Sequence, residues 1–211
     1  MEKQYRINEI FYSLQGEGRH TGRAAVFVRF SGCNLNCPFC DTDFSQHTKM
    51  TAAEILDEVR QWKNCGFIVL TGGEPSLQVD ETLVSLLHQE GFYVAMETNG
   101  TRAVPKNIDW VTISPKNCFV DQCQTLVANR VDEMKVVFDG VHDPKPYSRL
   151  GNHPYLCLQP CDTGDAHRNQ QVIQQCVEYI QKHPQWHLSL QTHKYLNISI
   201  WVYIFNLTHP I

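Results

Sequence analysis

Ala25-Val-Phe-Val-Arg29-Phe-Ser31-Gly-Cys33-Asn-Leu-Asn-Cys37-Pro-Phe-Cys40-Asp41 sets a short apolar run directly against three cysteines. The run at 25–30 reads as a strand, and the loop leaving it carries thiols in the pattern Cys-x3-Cys-x2-Cys with no fourth. Three thiolates on a four-iron cluster leave one iron open for a ligand that is also a reactant, which is the coordination logic of a catalytic site. Two other uses of these residues stay open on spacing alone. Zinc accepts Cys3His sets, with His47 available as the fourth ligand. Cysteines also pack as small apolar side chains, although Asn34, Asn36 and Pro38 make this stretch unlike a core strand.

The same punctuation recurs along the chain. Runs at 67–70, 93–96, 110–113, 135–138, 155–158 and 186–190 each end in a polar segment: Thr71-Gly-Gly-Glu-Pro, Glu97-Thr-Asn-Gly, Ser114-Pro-Lys, Asp139-Gly, Gln159-Pro and Gln191-Thr-His. Their length and β-branched content favour strands. Helical stretches lie between several of them. Thr51-Ala-Ala-Glu54 is a capping box opening an amphipathic segment through Trp62, with Ile55, Leu56 and Val59 on one face. Leu83, Val84 and Leu87 mark a second helix ending near Gly91, and residues 172–180 a third ending before Pro184. Strands alternating with helices predict parallel βα units, with chemistry gathered at the carboxyl ends of the strands. At 211 residues the chain is short for a complete eight-fold barrel, so the expected fold is α/β, an open partial (β/α) barrel in one domain over 1–211.

Composition excludes several classes. Net charge is −4 and the basic residues do not cluster, so the footprint of a nucleic-acid binder is missing. No basic segment followed by an apolar one opens the chain, no apolar run is long enough to span a membrane, and nine scattered cysteines suit free thiols in a reducing compartment. A cytoplasmic protein is expected. Cys157 and Cys161 repeat the x3 spacing, and Cys118 and Cys123 stand at x4, but neither pair has a third partner nearby, so a second cluster is not expected.

Taken alone, Thr71-Gly-Gly-Glu-Pro is a glycine turn that lets a ligand approach the backbone, with Glu74 accepting from an amine. Ser114-Pro-Lys116 is a strand-end turn, Asp41-Thr42 a turn or N-cap, and Gln15 and Glu17 a polar loop offering donors and acceptors. Read with the cysteine motif, the ordered set resembles the radical S-adenosylmethionine enzymes. Leu14-Gln-Gly-Glu-Gly18, Arg29-Phe-Ser-Gly-Cys33, Cys40-Asp-Thr42, Thr71-Gly-Gly-Glu-Pro75, Ser114-Pro-Lys116 and Gln191-Thr-His-Lys-Tyr-Leu-Asn197 resemble the 7-carboxy-7-deazaguanine synthase family within them. The resemblance implies a lyase that converts 6-carboxy-5,6,7,8-tetrahydropterin to 7-carboxy-7-deazaguanine with loss of ammonia, in queuosine-type deazapurine biosynthesis. It implies a 4Fe-4S cluster on Cys33, Cys37 and Cys40, S-adenosylmethionine at Gly73, Ser114, Pro115, Lys116, Gln159 and Asp162, and magnesium (Mg2+) at Thr42. Substrate contacts are implied for Leu14, Gln15, Gly16, Glu17, Arg29, Thr71 and His193, with Arg29 clamping a carboxylate. A flavodoxin- or ferredoxin-type reductant and a homodimer are implied as partners, with no nucleic acid and no membrane. Family members commonly stop near Gln-Thr-His-Lys, whereas here an atypical apolar tail runs on from about 198, expected as an added strand, a dimer contact or a reading-frame oddity.

Overall fold

The computed structural model describes residues 2–40, 42–43, 46–120, 125–150 and 154–198. Its strands are β1 (Tyr5–Leu14), β2 (Ala24–Phe30), β3 (Thr48–Met50), β4 (Phe67–Gly72), β5 (Tyr93–Thr98), β6 (Trp110–Ile113), β7 (Glu133–Phe138), β8 (Tyr155–Pro160) and β9 (Trp186–Leu188). The helices are α1 (Ala52–Val59), α2 (Glu81–Gln89), α3 (Ala166–Lys182) and α4 (Thr192–Leu196). The strands form one sheet in the order β3-β1-β2-β4-β5-β6-β7-β8-β9. From β2 through β4 to β9 every neighbouring pair is parallel, and these seven strands are the seven apolar runs of the sequence. Among the described residues the sheet has two edges and does not close, which is the open partial barrel expected from the βα alternation.

Two strands were not anticipated. β1 lies antiparallel to β2, and the short β3 lies antiparallel to β1. β1 mixes polar and apolar residues because part of one side is exposed, as at Arg6 and Tyr12, while Tyr5, Ile7 and Phe11 are buried. This leaves no continuous apolar run to read.

Alternation along the strands divides the interior in two. Val26, Val28, Phe30, Ile68 and Leu70 pack outward against Ile55, Leu56 and Val59 of α1 and Leu83, Val84 and Leu87 of α2. Phe11, Ala25, Phe27, Phe67, Val69 and Ala95 form a smaller cluster on the other face. Each fully buried leucine or isoleucine contributes about 1.5–3 kcal/mol. The capping box forms as read: the Thr51 side chain accepts from the Glu54 amide at 3.3 Å, and Glu54 accepts from the Thr51 amide at 2.7 Å. α1 nevertheless stops at Val59, and residues Arg60–Trp62 tighten into a 3-10 turn rather than continuing the α-helix. Gly91, at φ +83°, closes α2 by donating its amide to the His88 carbonyl at 2.9 Å.

Candidate active site

The polar segments that follow β2, β4, β5, β6 and β8 converge on one cavity of about 530 Å³ at the carboxyl end of the parallel strands. Cys33, Cys37, Cys40 and Thr42 occupy one part of its wall. The residues inferred from sequence to hold cluster, cofactor, substrate and magnesium line it, except Glu74 and Pro115, both of which are buried. Asp41 lies outside the described residues.

The cysteine loop is seated by backbone contacts with the glycine turn. The Gly73 amide donates to the Phe30 carbonyl at 3.0 Å, and the Glu74 amide to the Gly32 carbonyl at 2.9 Å. A Cβ on Gly73 would stand 2.1 Å from the Gly32 oxygen. The glycines therefore serve first to bring two backbones together, where the sequence suggested close approach of a ligand. Glu74 also differs from its expected role. It is fully buried, its Oε1 accepts from the Ser76 amide at 3.0 Å and the Thr98 hydroxyl at 2.6 Å, and its Oε2 accepts from the Asn99 amide at 2.7 Å. Asn99 in turn donates to Asn34 Oδ1 at 3.0 Å, so this carboxylate ties the ends of β4 and β5 to the cysteine loop. It is absent from the cavity wall, because its hydrogen bonds draw it into the strand ends.

The segment from Leu14 to Glu17 is held from two sides. The Gln15 amide donates to the Arg23 carbonyl at 2.8 Å, and the Gly16 carbonyl accepts from the Thr192 amide and hydroxyl at 3.0 and 2.9 Å. A Cβ on Gly16 would meet His193 Nδ1 at 2.5 Å, so glycine is what lets α4 bring His193 to the cavity. α4 was not anticipated, since five residues carry too little periodicity to read.

A charged network that sequence reasoning did not assemble lies among these residues. Lys135 on β7, only 3% exposed, donates to Glu17 Oε2 at 2.6 Å and to Glu97 Oε2 at 2.7 Å. Gln15 donates to Glu97 Oε1 at 2.8 Å, and Gln191 to Glu17 Oε1 at 3.0 Å. Burial alone would raise the Glu17 carboxyl, but the charge and hydrogen bond of Lys135, with the Gln191 amide, hold it at about 2. Burial alone would lower the Lys135 ammonium, and the two carboxylates hold it above the ordinary lysine value instead. The signal was legible: a lysine inside the apolar strand Glu133–Phe138 requires a buried partner.

Also lining the cavity, Lys116 donates to the Ser114 carbonyl at 3.0 Å and to its hydroxyl, and burial, then the charge of Lys135, pushes its ammonium below the ordinary lysine value. Gln159 Oε1 accepts from Ser189 at 3.0 Å. Asp162 is held at about 2 by the hydrogen bond from Lys194, then by the Gly164 amide and Asn169. Arg29 is buried with its Nε donating to Glu9 Oε1 at 2.7 Å, and its guanidinium lies 5.7 Å from the centre of the Phe11 ring.

Among the described residues, no three His, Cys, Asp or Glu side chains converge on a single-ion position, and His47 is exposed. Three soft thiol donors on the cavity wall are ligands of the type an iron-sulfur cluster takes. Cys157, by contrast, is buried within β8, where burial and then Glu133 raise its thiol. No helix among the described residues is long and apolar enough to cross a membrane.

Residues 27–139 match the Radical SAM superfamily model. A 7-carboxy-7-deazaguanine synthase of Bacteroides thetaiotaomicron is 50% identical over 193 residues, covering 92% of this chain and 98% of that protein. One of Nitratidesulfovibrio vulgaris is 43% identical, covering 92% of this chain and 99% of that protein. The crystal structure of QueE from Escherichia coli superposes with a TM-score of 0.74 at 29% identity, covering 89% of this chain and 93% of that one.

Proposed function

We infer the chemistry of this cavity from one premise: the chain belongs to the Radical SAM superfamily and, within it, to the 7-carboxy-7-deazaguanine synthase family. It converts 6-carboxy-5,6,7,8-tetrahydropterin to 7-carboxy-7-deazaguanine, a carbon-nitrogen lyase reaction that releases ammonia on the route to queuosine. The observation that carries this reading is the meeting, in one cavity, of three thiols and a hydrogen-bonding wall formed by Gln15, Glu17, Glu97 and Lys135. When bound, the 4Fe-4S cluster and S-adenosylmethionine supply a one-electron cleavage that generates a hydrogen-abstracting carbon radical.

The chain's own residues bind, orient and exclude water. Cys33, Cys37 and Cys40 hold the cluster. Gly73, Ser114, Pro115, Lys116, Gln159 and Asp162 hold S-adenosylmethionine, with Lys116 facing its carboxylate. Leu14, Gln15, Gly16, Glu17, Thr71 and His193 hold the pterin ring, and Arg29 its carboxylate. The reading extends to a flavodoxin- or ferredoxin-type electron donor, a homodimer and a cytoplasmic setting.

Arg29→Lys is expected to weaken substrate binding strongly although it keeps the charge. An ammonium cannot both pair with Glu9 and present a planar fork to a carboxylate. Loss of one charge-assisted hydrogen bond costs about 1.5–3 kcal/mol, a rise in Kd of roughly 10- to 150-fold. A substrate Kd that stays unchanged with S-adenosylmethionine saturating removes Arg29 from the carboxylate site.

Thr42, half-buried on the cavity wall, offers a hydroxyl of the hard-oxygen type that magnesium prefers. Bound there, the metal would supply electrostatic steering of substrate oxygens during rearrangement. Thr42→Val is expected to raise the magnesium needed for product formation, whereas Thr42→Ser keeps most activity. The measurement is a magnesium titration of product with 5′-deoxyadenosine followed in parallel. Identical dependence in wild type and both variants returns Thr42 to a turn residue.

A further inference from the structure

We propose that Lys135 is a positioning residue for substrate selection: it holds Glu17 and Glu97 as a pair of ionised acceptors that recognise the 2-amino-4-oxo edge of the pterin and reject its 2-oxo counterpart. The inference rests on the pterin reading above and adds a group to it.

The geometry is specific. Two carboxylate oxygens, 2.6 and 2.7 Å from one buried nitrogen, lie within about 5.3 Å of each other. Their other oxygens are each held by one amide, from Gln191 on Glu17 and from Gln15 on Glu97. A carboxylate oxygen accepts two hydrogen bonds, so one internal donor fixes each orientation and still leaves capacity for a ligand. The 2-amino-4-oxo edge presents two adjacent donors, the ring N–H and the exocyclic amine, which match an ionised carboxylate. The 2-oxo edge puts an acceptor in place of the amine and would face a negative charge.

Lys135 is what permits both carboxylates to stay ionised in one cavity. Like charges this close repel in a part-buried site, and removing the ammonium between them favours sharing a proton, which turns an acceptor into a donor. Glu133, two residues along β7 and therefore on the same side of the strand, adds a third carboxyl, and burial favours its protonated form. Lys116 and His193 in the cavity, and His20 beside it, are further ionisable groups whose charges reach this pair of carboxylates. Loss of Lys135 should therefore erase discrimination between the two edges rather than simply loosen the site.

The test titrates cluster-reconstituted enzyme, saturated with S-adenosylmethionine, with 6-carboxypterin and with 6-carboxylumazine. Wild type is expected to prefer the 2-amino ligand by at least about tenfold, and Lys135→Met to bring the two within about threefold. The double variant Lys135→Met/Glu97→Gln removes one negative charge with the lysine and is expected to regain a preference for 6-carboxypterin over the single variant. A packing role predicts no such rescue. Retention of the wild-type preference in Lys135→Met, or failure of the double variant to regain any, overturns the proposal. Wild-type enzyme that binds neither ligand refutes the pterin reading itself, and wild type that binds both alike refutes only the selection.

Discussion

Replacing Cys33, Cys37 or Cys40 by alanine is expected to abolish both iron-sulfur assembly and turnover, while alanine at Cys65, Cys118 or Cys176 leaves iron and sulfide content unchanged. The first three thiols stand on the cavity wall in one loop. The other three have different surroundings. Cys65 donates to the Ala24 and Phe67 carbonyls at 3.3 and 3.4 Å, Cys118 pairs with the Tyr147 hydroxyl at 3.1 Å, and Cys176 is fully buried in α3. A cluster with three protein thiolates has no redundancy, so each loss removes a ligand that nothing replaces. Iron and sulfide quantitation with visible absorption of anaerobically reconstituted protein checks this. Equal loss from both groups of variants contradicts the ligand assignment.

Gly73→Ala is expected to have the next largest effect, although it adds a single methyl group. That methyl would stand 2.1 Å from the Gly32 oxygen and 2.5 Å from its carbonyl carbon. Both are backbone atoms of the cysteine loop and cannot swing aside as a side chain would. Either β4 or the loop must shift, straining or breaking the hydrogen bonds of Gly73 to Phe30 and of Glu74 to Gly32. Overpacking of this kind costs about 1–3 kcal/mol. For a chain of this size that lowers Tm by roughly 2–12 °C, and the displaced thiols should lose iron as well. Gly91→Ala is the comparison: its φ of +83° strains any side chain, but no atom lies within 4 Å of the added methyl. It should lose stability without losing iron. Thermal melts and iron content of the two variants decide the matter, and a Gly73→Ala protein with normal cluster content contradicts the proposed seating of the loop.

Much of this architecture was legible because a parallel strand buried on both faces declares itself. Ala24–Phe30 and Phe67–Gly72 are nearly continuous apolar runs, and each ends abruptly at the residues that do chemistry. β1 and β3 were harder for the opposite reason. A half-exposed strand and a three-residue strand at the sheet edge carry no uninterrupted apolar pattern. The site followed the same division. The cysteines, Arg29, Ser114 and Lys116 sit in motifs at strand ends, whereas Lys135 lies inside a strand and acquires its meaning only when β7 brings it against Glu17 and Glu97, 118 and 38 residues away in sequence. Glu74 carried the reverse lesson: a carboxylate in a recognisable turn can be consumed by the fold, here by Ser76, Thr98 and Asn99.

The reaction itself can be measured directly. Anaerobically reconstituted and reduced protein is given 6-carboxy-5,6,7,8-tetrahydropterin, S-adenosylmethionine and magnesium, and 7-carboxy-7-deazaguanine and ammonia are quantified together. Equimolar formation of the two products, lost on omission of S-adenosylmethionine and in Cys37→Ala, is the expected result. Protein that holds its cluster and cleaves S-adenosylmethionine yet leaves the pterin unchanged would contradict it.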